Sequence, residues 1–273
     1  MARTVRHLVY RAAGLIALCA IALHLAGCGD APAAPLYAGA VAPHAAPDPR
    51  QAPPHSDGPG ASLIPAPRPP ATGAAVIPQR AVDLIVAFEV GSPEVYHAKY
   101  RQPIWPGAAS GVTVGIGYDL GHTAPRVIAL DWHASPHAVR LSAASGTTGP
   151  LARELARRMA DIAIEYGYAR EVFDQTSVIE HYRVARRIFG GDAFDALPPN
   201  AQGALVSMVF NRGGAMAGER RAEMRAIRDT CVPAGDVQCI ATQLRAMVRV
   251  WRGSDIEAGM RRRRHAEAAL AIT

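Results

Sequence analysis

The pattern of apolar and polar positions divides the 273-residue chain into three unlike stretches. Ala12 to Gly27 is an apolar run broken only by His24, with Arg3, Arg6 and Arg11 ahead of it. Sixteen residues span about 24 Å as a helix, short of the roughly 30 Å hydrocarbon core, so this is a secretion signal and not a membrane span. From Gly29 to Pro78 no apolar periodicity survives. The helical and strand periods begin only after Pro78. Ala81, Val82, Leu84, Ile85, Val86 and Phe88 give a helix a broad apolar face, with Glu89 in its last turn before Val90-Gly91-Ser92-Pro93 stops it. Gly111 to His122 then alternates small and β-branched residues, as in a short strand or hairpin.

Everything after Thr123 carries a helical period. Leu151, Leu155, Met159, Ile162 and Ala163 recur at three- and four-residue steps and predict an amphipathic helix from Pro150 to about Tyr166. Ala201 to Phe210 is apolar nearly all round, which predicts the central buried helix, opened by Pro198-Pro199-Asn200 and closed by Asn211-Arg212-Gly213-Gly214. Gln238 to Trp251 and Glu257 to Ile272 complete the helical set. The Arg261–Arg264 run reads as a solvated helix face.

Composition sharpens the division. Of 22 prolines, 13 lie between Pro32 and Pro78, and that segment cannot bury enough surface to fold. As extended polyproline II its fifty residues would reach about 155 Å, a tether. With 49% hydrophobic and 19% charged residues, the whole is neither a disordered protein nor a polytopic membrane protein. Net charge is +6, but 28 of the 29 basic residues are arginine, which reads as genome composition, and the part from Arg80 onward nets only +4. Charge therefore gives no case for nucleic acid as a partner.

Leu25-Ala26-Gly27-Cys28 resembles the lipobox of bacterial lipoproteins, which implies cleavage before Cys28 and its lipidation; an ordinary cleaved signal is the alternative. Residues 1–27 are then the signal, 28–78 the lipidated cysteine and tether, and 79–273 the folded domain. Gly29 follows the cysteine where the inner-membrane retention signal has aspartate, although Asp30 comes next. The expected destination is the periplasmic face of the outer membrane, with the lipid anchor as membrane contact. Cys231 and Cys239 bracket a turn-rich loop that would close a disulfide in an oxidising compartment; two free buried thiols are the other reading. No Cys/His cluster has metal-ligand spacing, and neither a metal nor a cofactor is expected. A phosphate loop at Gly115-Ile116-Gly117 lacks the remaining glycine, the lysine and the strand-to-helix context.

The order of Phe88-Glu89-Val90-Gly91, Val112-Thr113-Val114-Gly115-Ile116-Gly117-Tyr118-Asp119-Leu120-Gly121 and Ala204 to Gly213 resembles the lysozyme-like muramidases. Gly259 to Glu267 continues it as the arginine-rich terminal helix. The match is nearer to pesticin-type lytic domains than to phage lysozymes. The latter carry their aspartate between the glutamate and the threonine, where this chain has no acid between Glu94 and Asp119. The resemblance implies an α+β fold, with a small β-hairpin lobe and a larger helical lobe. It also implies a glycoside hydrolase acting on peptidoglycan, at the β-1,4 bond between N-acetylmuramic acid and N-acetylglucosamine. Glu89 is then the proton donor, Asp119 the group that orients the attacking water, and Thr113 the hydroxyl that holds that water, an inverting arrangement. Tyr118 and Asn211 are expected to line the sugar cleft. Taken singly, Thr113 is an ordinary strand residue and Asp119 an ordinary turn residue; the ordered set with Glu89 carries the assignment. Two other readings stay open: a lytic transglycosylase, and a non-catalytic peptidoglycan-binding lipoprotein. An inhibitor protein would leave no mark in the sequence.

Overall fold

The structure, a computed structural model, describes residues 76–273. The signal, Cys28 and nearly all of the tether lie outside the described residues. The described part is mostly helical, with one small antiparallel sheet. Helix α1 (Gln79–Glu89) buries Ala81, Val82, Ile85 and Val86 and leaves Asp83 and Ala87 outside, as its 3.6-residue period requires. Gly91, at φ +82°, reverses the chain into α2 (Pro93–Lys99), which is capped by the Ser92 hydroxyl accepting from Val95 N.

Strands β1 (Thr113–Val114) and β2 (Tyr118–Asp119) pair antiparallel, with Thr113 opposite Asp119 and Val114 opposite Tyr118. Helices α3 (Pro125–Asp131), α4 (Ala138–Ala143) and α5 (Gly149–Arg158) follow. Helix α6 (Tyr166–Phe173) runs through a wider π-type turn, Asp174–Val178, into α7 (Ile179–Ile188). After the short α8 (Asp192–Asp195) comes α9 (Pro199–Arg212), buried along Ala201 and Gly203–Val209, which is the central helix expected from its all-round apolar sequence. Helices α10 (Ala222–Ala226), α11 (Val237–Ala246) and α12 (Glu257–Ala271) follow; α9 packs against α1, α7 and α12, and α12 lies against α9, α11 and α1. A Cβ on Gly203 would sit 2.4 Å from that of Ala81, so this glycine lets α9 approach the helix that carries Glu89.

Two expectations need correction. The helix opened by Pro150 ends at Arg158 instead of near Tyr166. Beyond it the period changes to two: Ile162 and Ile164 are buried while Asp161, Ala163 and Glu165 face out. The backbone there pairs elsewhere, Ile164 N donating to Arg101 O and Tyr96 Oη donating to Ile164 O. Leu151, counted in the apolar stripe, is 73% exposed. The second correction is the Arg261–Arg264 run. Arg261 and Arg262 are exposed, but Arg263 and Arg264 are buried. Successive helical residues differ by about 100° in direction, and the inner pair meets Glu267 one turn on.

Cys231 and Cys239 form a disulfide, with Cα atoms 5.4 Å apart, and the free-thiol reading falls away. Replacing both by serine should cost about 2.5 kcal/mol by loop entropy. Thermal melts of the double variant and of the reduced wild type check this; an unchanged melting temperature in both would contradict it. Among the described residues no helix is long and apolar enough to cross a membrane. No three or more His, Cys, Asp or Glu among them are grouped to hold a metal.

Candidate active site

Glu89 ends α1, where the helix dipole disfavours a carboxylate, so its stability there depends on a cation. That cation is Arg263. Its Nη1 donates to Glu89 Oε1 at 2.6 Å, with the Glu89 side chain 12% and the Arg263 side chain 3% exposed. The guanidinium is used on every nitrogen: Nε donates to Glu267 Oε1 at 3.2 Å and Nη2 to Ser207 O at 3.2 Å. Its plane lies near the Phe88 ring, 5.5 Å from the centroid. Burial alone would lower the Arg263 guanidinium, but the Glu89 and Glu267 carboxylates overturn that and hold it above its ordinary value. The Tyr100 hydroxyl is pushed up by burial first and by the Glu89 charge second, which puts Tyr100 among Glu89's neighbours.

Thr113 and Asp119 are cross-strand partners, so their side chains emerge on one face of the sheet. Thr113 is 4% exposed, and its Oγ1 is buried without a hydrogen-bond partner. The Asp119 carboxylate organises the loop around it. Oδ1 accepts from Gly121 N at 2.8 Å and His122 N at 3.3 Å, and Oδ2 accepts from Gly111 N at 3.0 Å. An ionised carboxylate has about four lone-pair sites, so roughly one remains, on Oδ2. Asp119 is thus a structural anchor with capacity for one further donor.

This anchoring depends on glycine. A Cβ on Gly111 would lie 2.3 Å from Asp119 Oδ1 and 2.4 Å from Gly121 Cα and N. Gly111→Ala should therefore displace Asp119, destabilise by about 1–3 kcal/mol and lower any activity that uses it. Gly167→Ala, with nothing within 4 Å, is the control and should change neither. Melting curves and activity assays of the two variants compare them; a Gly111→Ala protein that matches wild type would refute the packing argument.

Tyr118 is the strand neighbour of Asp119 and points to the opposite face. It is 5% exposed, packs edge-on against Trp132 at 5.5 Å and donates its hydroxyl to Asp131 Oδ2 at 2.8 Å. Trp132 in turn meets Tyr168 at 5.5 Å, so this face packs into the hydrophobic core. Asn211, on the last turn of α9, is partly exposed, and its Oδ1 accepts from Arg264 Nη2 at 3.2 Å. Next to it Arg212 stacks over Trp251 at 4.9 Å and donates to Arg220 O. Burial, then the charges of Arg221, Arg264 and Arg220, push Arg212 down to about 8. Arg263 and Glu267 were not recognisable as site residues from charge patterning. The available signal was the Arg-Arg-x-x-Glu spacing, which puts Glu267 one turn from both arginines.

The geometry offers an acid on a fixed cation, and a buried hydroxyl beside a carboxylate held by three backbone amides. No protein-family model matches the chain, and no curated protein matches it.

Proposed function

We propose that the domain is a lysozyme-like muramidase that hydrolyses the β-1,4 bond between N-acetylmuramic acid and N-acetylglucosamine in peptidoglycan, with inversion at the anomeric carbon. The observation that carries this reading is the pairing of Thr113 with Asp119. A buried hydroxyl without an internal partner stands directly opposite a carboxylate with a lone pair to spare. Such a pair can bind and deprotonate a water, Thr113 fixing its position and Asp119 taking its proton as it attacks.

Glu89 supplies the other half of the chemistry. In its protonated form it delivers the proton to the leaving glycosidic oxygen, while Arg263 fixes the carboxyl group. Asn211 and Arg212, at the end of α9, belong on the cleft side in this reading, and Tyr118 supports the sheet from behind. The chain is further proposed to be an exported lipoprotein anchored through Cys28, its tether giving the domain reach into the wall. Fatty-acid labelling that marks Cys28 supports the anchor; wild-type protein that is never labelled removes it.

Digestion of purified sacculi followed by mass spectrometry tests the enzyme reading. Muropeptides with a free reducing N-acetylmuramic acid support it. Anhydro products would instead identify a lytic transglycosylase, and binding without release a non-catalytic wall protein.

A further inference from the structure

The buried face of α12 holds more charge than a pair needs for stability. Glu267 is 0% exposed, and its Oε1 takes three donors: Ser207 Oγ at 2.7 Å, Arg264 Nη2 at 2.8 Å and Arg263 Nε at 3.2 Å. Arg264 is also fully buried, over Trp251 and against Met247, and burial pulls it down to about 10, with Glu267 opposing and Arg263 adding to that fall. Glu89, Arg263, Glu267 and Arg264 form a chain of alternating sign in which Arg263 is shared between two carboxylates.

Sharing matters for an acid that cycles. If Arg263 had Glu89 as its sole carboxylate, protonating Glu89 would leave a buried cation unpaired, which is costly. Glu267 remains as counterion throughout. We propose that Glu267 is a positioning residue for the proposed acid: by sharing Arg263 it lets Glu89 gain and lose its proton without leaving a buried charge uncompensated. This rests on the muramidase reading above. The charged and titratable groups facing Glu89 are Arg263 from α12 and Tyr100 from the end of α2; those facing Glu267 are Arg263 and Arg264, with the Ser207 hydroxyl from α9.

The sign of the effect follows. Glu267→Gln hands Arg263 wholly to Glu89 and removes a nearby negative charge, and both favour ionised Glu89. A general acid works in its protonated form, so the alkaline limb of kcat/KM should move to lower pH, by about one unit or more. Glu267→Asp keeps the charge and should keep the limb near that of wild type. Ser207→Ala removes a donor from Glu267, which then draws harder on Arg263, and the limb should move the other way, to higher pH.

The experiment is the pH profile of kcat/KM on soluble peptidoglycan for the full chain and these three variants, each checked for folding by circular dichroism. A downward limb in Glu267→Gln, an unmoved limb in Glu267→Asp and an upward limb in Ser207→Ala support the proposal. A folded Glu267→Gln protein with an unmoved limb overturns it, as does a Glu267→Asp limb that moves like that of Gln. If Glu267→Gln does not fold, Ser207→Ala decides alone: an upward limb supports, and an unmoved or downward one overturns. A wild-type protein inactive at every pH would sink the muramidase reading and this inference with it. An active wild type with unmoved limbs sinks this inference only.

Discussion

Glu89→Gln should lower peptidoglycan hydrolysis by about 10²–10⁴-fold, the usual worth of a general acid, while leaving the fold in place. Glutamine keeps the shape of the side chain and an oxygen to accept from Arg263 Nη1, now at 2.6 Å from the carboxylate. It has no proton acidic enough to deliver to a leaving sugar oxygen. Arg263 is not stranded by the change, because Glu267 Oε1 and Ser207 O still accept from it. The melting temperature should therefore move little. Turnover of solubilised peptidoglycan, measured with the melt, checks both parts; near-wild-type turnover would mean that Glu89 is not the acid.

Asp119→Asn should combine a large loss of activity, at least about 10²-fold, with a real loss of stability. The amide oxygen can still accept from Gly121 N and His122 N, but the amide nitrogen then faces Gly111 N, donor against donor. Losing that charge-assisted bond should cost about 1.5–3 kcal/mol. The two effects separate on temperature: assayed well below its melting point the variant is folded, and activity should still be missing because the anionic partner of the water is gone. Full activity of the folded variant would reduce Asp119 to an anchor of its loop.

The helical architecture was legible where local pattern and burial agree. Ala201 to Phe210 is apolar nearly all round and is buried along Ala201 and Gly203–Val209, and Pro78 and Gly91 punctuate α1, the one by its fixed φ and the other by a positive φ. The pattern misled where neighbours far away in sequence decide. Ile162 and Ala163 fit a helical stripe on paper, but Arg101 O captures the Ile164 amide and the segment extends, leaving Ala163 exposed. The arginine run is a sharper case. Composition treats four arginines alike, whereas burial divides them two and two, because Glu89, 174 residues away, is the partner that makes one inner site habitable. The resemblance pointed to Glu89, Thr113 and Asp119 but not to the three amides on Asp119, which depend on Gly111 and Gly121 crossing at backbone contact distance.

The stereochemistry of the first product tests the central claim most directly, because the proposed water, held by Thr113 and Asp119 and attacking from the face opposite the proposed acid, would invert the sugar. Residues 79–273 acting on soluble peptidoglycan strands, followed by proton NMR before mutarotation, report the anomer of the newly released N-acetylmuramic acid. The account predicts the α-anomer from the β-linked substrate. Initial release of the β-anomer, or of a 1,6-anhydro sugar, would contradict it.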